Sequence, residues 1–334
     1  MSSTSDKICK EGASQTKVDL SDAIGYLQLL NIKDNKAVGN VCANCGKEGS
    51  SDNTNTCNKC KEVKYCNAAC KKKHRSKHKK ACDRRVAELH DEKLFKQPPP
   101  KEDCPICFLR LPTLVSGSRY KTCCGKTICS GCSNAPVYDN QGNKVDEKKC
   151  AFCRVPTPTT DEEINEMEKK RFADNDPIAI FNIGLNYSEG MYGYPLDYVK
   201  ALELWHQAAG LGYTGAYTNI GYAYNNGEGV EINKKKAIHY FELAAMRGDV
   251  TARYNLGIEG EKADNFDRAL KHHMIAVRDG HENSLKEIQK MYSYGHATKD
   301  DYTKALQLYQ EYLSEIKSDQ REKAAAAKKE NRYY

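Results

Sequence analysis

Seven cysteines and one histidine fall within residues 42–82 in four close pairs: Cys42-Ala-Asn-Cys45, Cys57-Asn-Lys-Cys60, Cys66-Asn-Ala-Ala-Cys70 and His78-Lys-Lys-Ala-Cys82. A Cys-x-x-Cys pair turns two sulfurs toward one ion. Cys-x3-Cys and His-x3-Cys put two donors one helical turn apart on one face. Thiolate and imidazole are the donors zinc prefers, and eight of them fill two tetrahedral sites. His74 is a rival imidazole, but it stands too far from Cys82 for one helical turn and is expected to be exposed. Eight more cysteines follow as Cys104-Pro-Ile-Cys107, Cys123-Cys124, Cys129-Ser-Gly-Cys132 and Cys150-Ala-Phe-Cys153. Of the 16 cysteines only Cys9 is left over. A disulfide framework is the rival use of so many thiols. Residues 1–20 are polar and lack the apolar core of a secretory signal, so an intracellular chain, cytoplasmic or nuclear, using its cysteines for metal is expected.

These donors need elements to hold them. Residues 1–17 are expected to be disordered. A short helix and linker are expected over 18–40, with Ser21 as N-cap and Ile24, Leu27 and Leu30 at helical spacing. After the first cysteine segment, 83–101 reads as a charged helix followed by Pro98-Pro99-Pro100, a stiff spacer. The second cysteine segment spans 102–156. Thr160-Asp-Glu-Glu163 then reads as a capping box opening a helix.

From there the chain repeats. Ile183-Gly184 returns as Ile220-Gly221 and Leu256-Gly257, and Ala201 to Ala237 is 36 residues, as is Gly212 to Gly248. A period of this length signals stacked helix pairs over 160–316. Gly212, Gly248 and Gly280 stand where a C-cap would end each second helix. The third unit is four residues short, and the fourth, around Lys304-Ala305, lacks the paired alanines and is expected to close the stack. Trp205, Tyr217, Tyr224, Tyr240 and Tyr254 read as packing residues, and His272-His273 as an exposed pair. The tail, 317–334, is charged and alanine-rich, with nothing apolar to bury, and is expected to fray.

The first segment, with its Tyr65-Cys66 and His78-Lys79 steps, closely resembles the MYND zinc finger, although Arg75 stands where that family often has an aromatic. The resemblance implies a cross-brace: Cys42, Cys45, Cys66 and Cys70 on one zinc, and Cys57, Cys60, His78 and Cys82 on another. The second segment resembles an all-cysteine RING finger, with Lys126 near the position where many RING fingers have a histidine. Carried over, Cys104, Cys107, Cys129 and Cys132 hold one zinc. Cys123, Cys124, Cys150 and Cys153 hold the other, Gly125 easing the bend that adjacent ligands demand. Ile106 matches the apolar contact of RING ligases for a ubiquitin-conjugating enzyme, and Arg154 matches their ubiquitin-steadying cation. The plain alternative is a core isoleucine and a surface charge. The repeats resemble the Sel-like family, short relatives of the tetratricopeptide repeat. The implied fold is mainly α: two small zinc-stabilised cross-brace fingers followed by an α-solenoid of short helix pairs.

Charge narrows the function. The chain is formally +7, yet nine Lys/Arg and one Asp between Lys71 and Arg85 account for +8, which leaves −1 elsewhere. A four-thiolate zinc site carries about −2 and a three-thiolate one about −1, so the metal-loaded chain is near neutral. Global charge is thus a poor argument for nucleic acid. The basic run reads as a solvated helix face, with an import signal or a phosphate contact as the alternative. No apolar run approaches the roughly 18 residues of a membrane span. Neither a phosphate-binding glycine loop nor a nucleophile-and-base motif is legible, so no catalytic or organic-cofactor residue is assigned. The expectation is a protein-binding adaptor, its partners met by the repeats and the MYND-type finger. The alternative is a RING-type ubiquitin ligase with a conjugating enzyme as partner and the repeats choosing substrate. A weaker third reading is a nuclear regulator touching nucleic acid through Lys71–Arg85.

Overall fold

Where cysteines cluster, the backbone forms two-stranded ribbons and tight turns; where alanine recurs periodically, it forms helices. The computed structural model describes residues 41–47, 55–99, 101–113, 115–136, 141–143, 149–328 and 331–333. The expectations for 1–17 and 18–40 lie outside these. The chain divides after Val86 into two compact units.

In the first unit, β1 (Asn55–Thr56) pairs antiparallel with β2 (Lys64–Tyr65), Asn55 opposite Tyr65. Helix α1 (Ala68–Leu94) follows, its turns to Val86 belonging to this unit. Tyr65 is buried among the cysteines. His74 is half-buried, not exposed as expected: its Nδ1 lies 3.2 Å from Tyr65 Oη, and its ring stacks on His78 at 5.8 Å. The cause is the helix itself, which sets His74 one turn before His78 on the same face.

In the second unit, β3 (Ser118–Lys121) and β4 (Lys126–Cys129) form an antiparallel ribbon leading into the short α2 (Ser130–Asn134). Helix α3 (Asp161–Ala173) starts at the expected Thr160 cap, whose Oγ1 accepts from Glu163 N at 3.3 Å. Four helix pairs follow: α4 (Pro177–Glu189) with α5 (Tyr198–Gly210), α6 (Thr214–Asn226) with α7 (Lys234–Met246), α8 (Val250–Lys262) with α9 (Phe266–Arg278), and α10 (Glu282–Ser293) with α11 (Lys299–Ile316). Helix α12 (Asp319–Ala327) ends the array.

The pairs share one local grammar. Each second helix opens on a side-chain cap: Asp197, Asn233, Asn265 and Thr298 accept from the backbone N–H three residues on. Such a cap stabilises a helix by about 1 kcal/mol. The second helices of the first three pairs are followed by Gly212, Gly248 and Gly280 at φ +95°, +91° and +89°. Within each of these pairs a glycine of the first helix receives a ring of the second. A Cβ on Gly184, Gly221 or Gly257 would lie 2.6 Å from Trp205, 2.5 Å from Phe241 or 2.3 Å from His273.

His272 and His273 are therefore not an exposed pair; they are 1% and 0% exposed. His273 takes the ring position that Phe241 and Trp205 occupy one and two repeats earlier. Its nitrogens meet Glu261 Oε1 at 2.8 Å and Ser284 Oγ at 3.3 Å. His272 packs on Phe95, 4.7 Å between ring centres. Burial, reinforced by Arg253, pushes its pKa down to about 2.

The end of α1 belongs to this unit as well. Leu94 is fully buried with Phe241 and Leu256, and Arg268 donates to Asp91 at 2.7 Å. The second cysteine segment, set off by prolines in the sequence, folds into the same unit. Arg110 forks between Asp279 (2.7 Å) and Glu315 (2.6 Å). Tyr120 Oη donates to Asp176 Oδ2 at 2.6 Å, while Oδ1 of that carboxylate caps α4. Nor do the described residues of the tail fray. Arg321, Ala324, Asn331 and Tyr333 are all buried, with Tyr333 packed on Tyr312 and Ile316.

Candidate metal centres

Four of the five Cys-x-x-Cys pairs end in the same backbone turn; the fifth, Cys129–Cys132, runs into α2 instead. The residue after the second cysteine has positive φ: Gly46 at +70°, Lys61 at +59°, Phe108 at +57° and Arg154 at +63°. In each case its N–H donates to the carbonyl of the first cysteine: Gly46 to Cys42 (2.9 Å), Lys61 to Cys57 (3.0 Å), Phe108 to Cys104 (2.8 Å) and Arg154 to Cys150 (3.0 Å). A left-handed conformation costs a residue with a side chain about 1 kcal/mol and persists only where its surroundings impose it. Three such residues at matching positions mark a turn shaped for what the sulfurs hold. The sequence carried only a faint signal for this, the single glycine of the four, Gly46.

These turns supply eight of sixteen donor atoms that gather into four quartets: Cys42, Cys45, Cys66 and Cys70; Cys57, Cys60, His78 and Cys82; Cys104, Cys107, Cys129 and Cys132; Cys123, Cys124, Cys150 and Cys153. Within each, the donor atoms all lie within 4.8 Å of one another. Zinc–sulfur bonds of about 2.3 Å at tetrahedral angles set sulfurs about 3.8 Å apart. The separations fit: 3.6 Å for Cys45–Cys66, 3.6 Å for Cys57–Cys82, 3.8 Å for Cys107–Cys129 and 3.4 Å for Cys123–Cys153. Cys60 Sγ stands 3.3 Å from His78 Nε2. The donor sets suit zinc, and when bound the ion would tie together turns that share little apolar core.

Different elements deliver each donor. In the first unit α1 carries Cys70, His78 and Cys82. Lys71 Nζ secures the ribbon by donating to Thr56 O at 3.0 Å, and Arg85 pairs with Glu62 at 3.0 Å. Part of the basic run is thus structural, while Lys72, Lys73, Arg75, Lys77, Lys79 and Lys80 are exposed. In the second unit the ribbon places Cys129, and α2 places Cys132. Adjacent Cys123 and Cys124 reach one quartet because Gly125, at φ +67°, closes the turn onto Lys121 O at 2.8 Å. Arg171 of α3 fixes this turn from outside, donating to Thr122 O (2.9 Å) and Cys123 O (3.1 Å).

The electrostatics of each quartet call for a cation. The backbone N–H of Cys66 leads the donors that hold the Cys42 thiol down at about 6, while hydrogen bonding with Cys70 and Cys42 pushes Cys66 up to about 12. Burial raises Cys57, but the N–H groups of Cys60 and Lys59 outweigh it and leave it at about 6. Contact with Cys129 leads the effects that bring Cys104 to about 4, and the same contact drives Cys129 up. Crowded thiols ionise unequally; a dication lets all of them ionise together.

Ile106 and Arg154, singled out in the sequence, both lie on the surface of the second unit; Ile106 is 36% exposed. The sequence did not single out their exposed neighbours Phe108, Phe152 and Val155.

Comparison with known proteins agrees with this division. The MYND finger signature matches residues 42–82, and the Sel1 repeat signature matches 177–213, 214–249 and 290–311. The chain carries a MYND finger and Sel1 repeats. The pair α8–α9 falls between the matched repeats yet folds as the same unit. An ERAD-associated E3 ubiquitin-protein ligase component, HRD3B, from Arabidopsis thaliana is 33% identical over 113 residues, 34% of this chain and 17% of the relative. A sel1-like repeat-containing protein, L21, of Acanthamoeba polyphaga mimivirus is 27% identical over 42% of this chain and 27% of its own length. The chain thus spans under a third of either relative. A Sel1 repeat protein from Oxalobacter formigenes superposes with a TM-score of 0.41 at 28% identity, covering 46% of this chain and 64% of that one. Among the described residues no helix is long and apolar enough to cross a membrane.

Proposed function

We propose that this chain is a zinc-dependent adaptor in which two cross-brace fingers, holding four zinc ions in all, and a helical-repeat array bind protein partners. The observation that carries this reading is that each quartet supplies four protein donors. A fully protein-ligated zinc has no open position for substrate and marks a structural site. Stacked helix pairs present extended surfaces of the kind that repeat proteins use to hold partners.

A second reading is favoured by one observation. Ile106 and Arg154 are exposed on two knuckles of the second finger, as a ubiquitin ligase of the RING kind would need. Such a ligase contributes no nucleophile; it would hold the loaded thioester of a conjugating enzyme in a reactive orientation. The E3-component name of one relative is compatible with this. The test is discharge of ubiquitin from a panel of charged conjugating enzymes by the zinc-loaded protein, with Arg154→Ala as control. Discharge that falls with the substitution would establish the ligase. No discharge across the panel leaves the adaptor, whose partner would then be sought with the repeats as bait.

A further inference from the structure

Helix α12 is docked where its own sequence gives little reason for it. An arginine in the first turn of a helix opposes the helix dipole, yet Arg321 occupies that turn at 0% exposure. Its Nη1 donates to Ile316 O at 2.7 Å, and its Nη2 reaches Leu109 O at 3.4 Å and Cys107 Sγ at 3.9 Å. Among the described residues no carboxylate pairs with it. A guanidinium stays charged at any pH at which proteins fold, and a buried charge without an opposite one is costly. The preceding residue also reaches the quartet: Gln320 Oε1 lies 3.6 Å from Cys132 Sγ and accepts from that thiol. Gly131 of α2 permits the approach, since a Cβ there would sit 2.8 Å from both the backbone N and the Cγ of Arg321.

We propose that Arg321 is the counter-charge of a zinc tetrathiolate formed by Cys104, Cys107, Cys129 and Cys132, and that α12 is a latch closed only while that ion is bound. The proposal rests on the zinc-finger reading of 102–156. Zinc with four thiolates is formally a dianion, and among the described residues no other negative charge meets the buried guanidinium. An N–H directed at a ligating sulfur tempers its charge and steadies the ligand, and outer partners of this kind change metal affinity. Loss of the ion removes the anion, leaves Arg321 buried and unbalanced, and releases α12. Arg321 is a positioning residue for the site.

The test uses full-length, zinc-loaded protein. Zinc per chain is measured by elemental analysis, zinc release is followed with a chromophoric chelator, and protection of 319–327 is read by hydrogen exchange. In Arg321→Met one zinc of four is expected to dissociate about 10- to 100-fold more readily, with the other three unchanged. Arg321→Lys should recover part of the loss, which a purely steric role would not predict. In wild-type protein, stripping zinc should abolish protection of 319–327 while the interior repeats stay protected, a readout that does not depend on the variants folding. Four zincs with equal release in wild type and Arg321→Met, or protection of 319–327 that survives stripping, would overturn the latch and leave the fingers standing. Two zincs per wild-type chain would overturn the second-finger reading itself.

Discussion

At the scale of single residues, two kinds of constraint separate cleanly. Gly46 sits at φ +70° with nothing near its would-be Cβ. Gly46→Ala should therefore cost only the backbone term, about 1 kcal/mol, with zinc content unchanged; thermal unfolding of the loaded protein measures it, and no loss of stability would refute the imposed turn. His272 and His281 are held neutral, at about 2 and about 4, chiefly by burial. Both native pKa values lie below the unfolded value near 6.5, so unfolding takes up protons below that pH. Their contribution is present above about pH 6.5 and lost as pH falls, by roughly 2 kcal/mol per histidine at pH 5. His272→Leu should remove about one proton from the uptake measured as the pH slope of urea unfolding, and an unchanged slope would count against the buried neutral state. The four donor quartets were legible in the sequence because a zinc site calls for close pairs, and pairs are local. The burial of His273 was legible too, had Trp205, Phe241 and His273 been compared in register: each stands four residues after the alanine of its repeat. Residue type argued for exposure; position in the period decided otherwise.

At the scale of elements, the repeat works by fitting a ring of one helix against a glycine of its partner. Gly221→Ala would bring a methyl to 2.5 Å from Phe241. Overpacking of this kind costs about 1–3 kcal/mol, measurable as a lowered urea midpoint at constant slope, and a neutral outcome would show that the pair can separate freely. Helix periodicity, caps and the glycines after each second helix were readable because they depend on neighbours a few residues away. The docking of α12 was not. Its hold comes from Arg321 against residues more than two hundred positions earlier, and from Asn331 and Tyr333 closing over the same region. A composition of alanine and charge gives no hint of such partners.

At the scale of the whole molecule, the second cysteine segment and the repeats are not independent. The prolines around the second cysteine segment lead one to expect that chelation would unfold residues 42–153 and leave the helical signal of 176–315 largely intact. The second cysteine segment instead shares a unit with the repeats, through Arg110, Tyr120, Arg171 and Arg321. Complete chelation should leave the helical signal of the interior pairs, lose the first finger, and lower the unfolding midpoint of the array. An array whose midpoint is identical with and without zinc would show the contacts to be energetically idle.

The contact between residues 104–132 and α12 also has a consequence for how the protein is made. A helical array grows by adding each repeat to the last, so most of it settles as it is synthesised. The second cysteine segment leaves the ribosome long before α12 exists. At 5–20 residues per second the delay is on the order of ten seconds. During that interval four thiols and an α2 surface shaped around Gly131 stand without their final cover, and on the proposed zinc reading a bound ion would hold them until the last helix arrives.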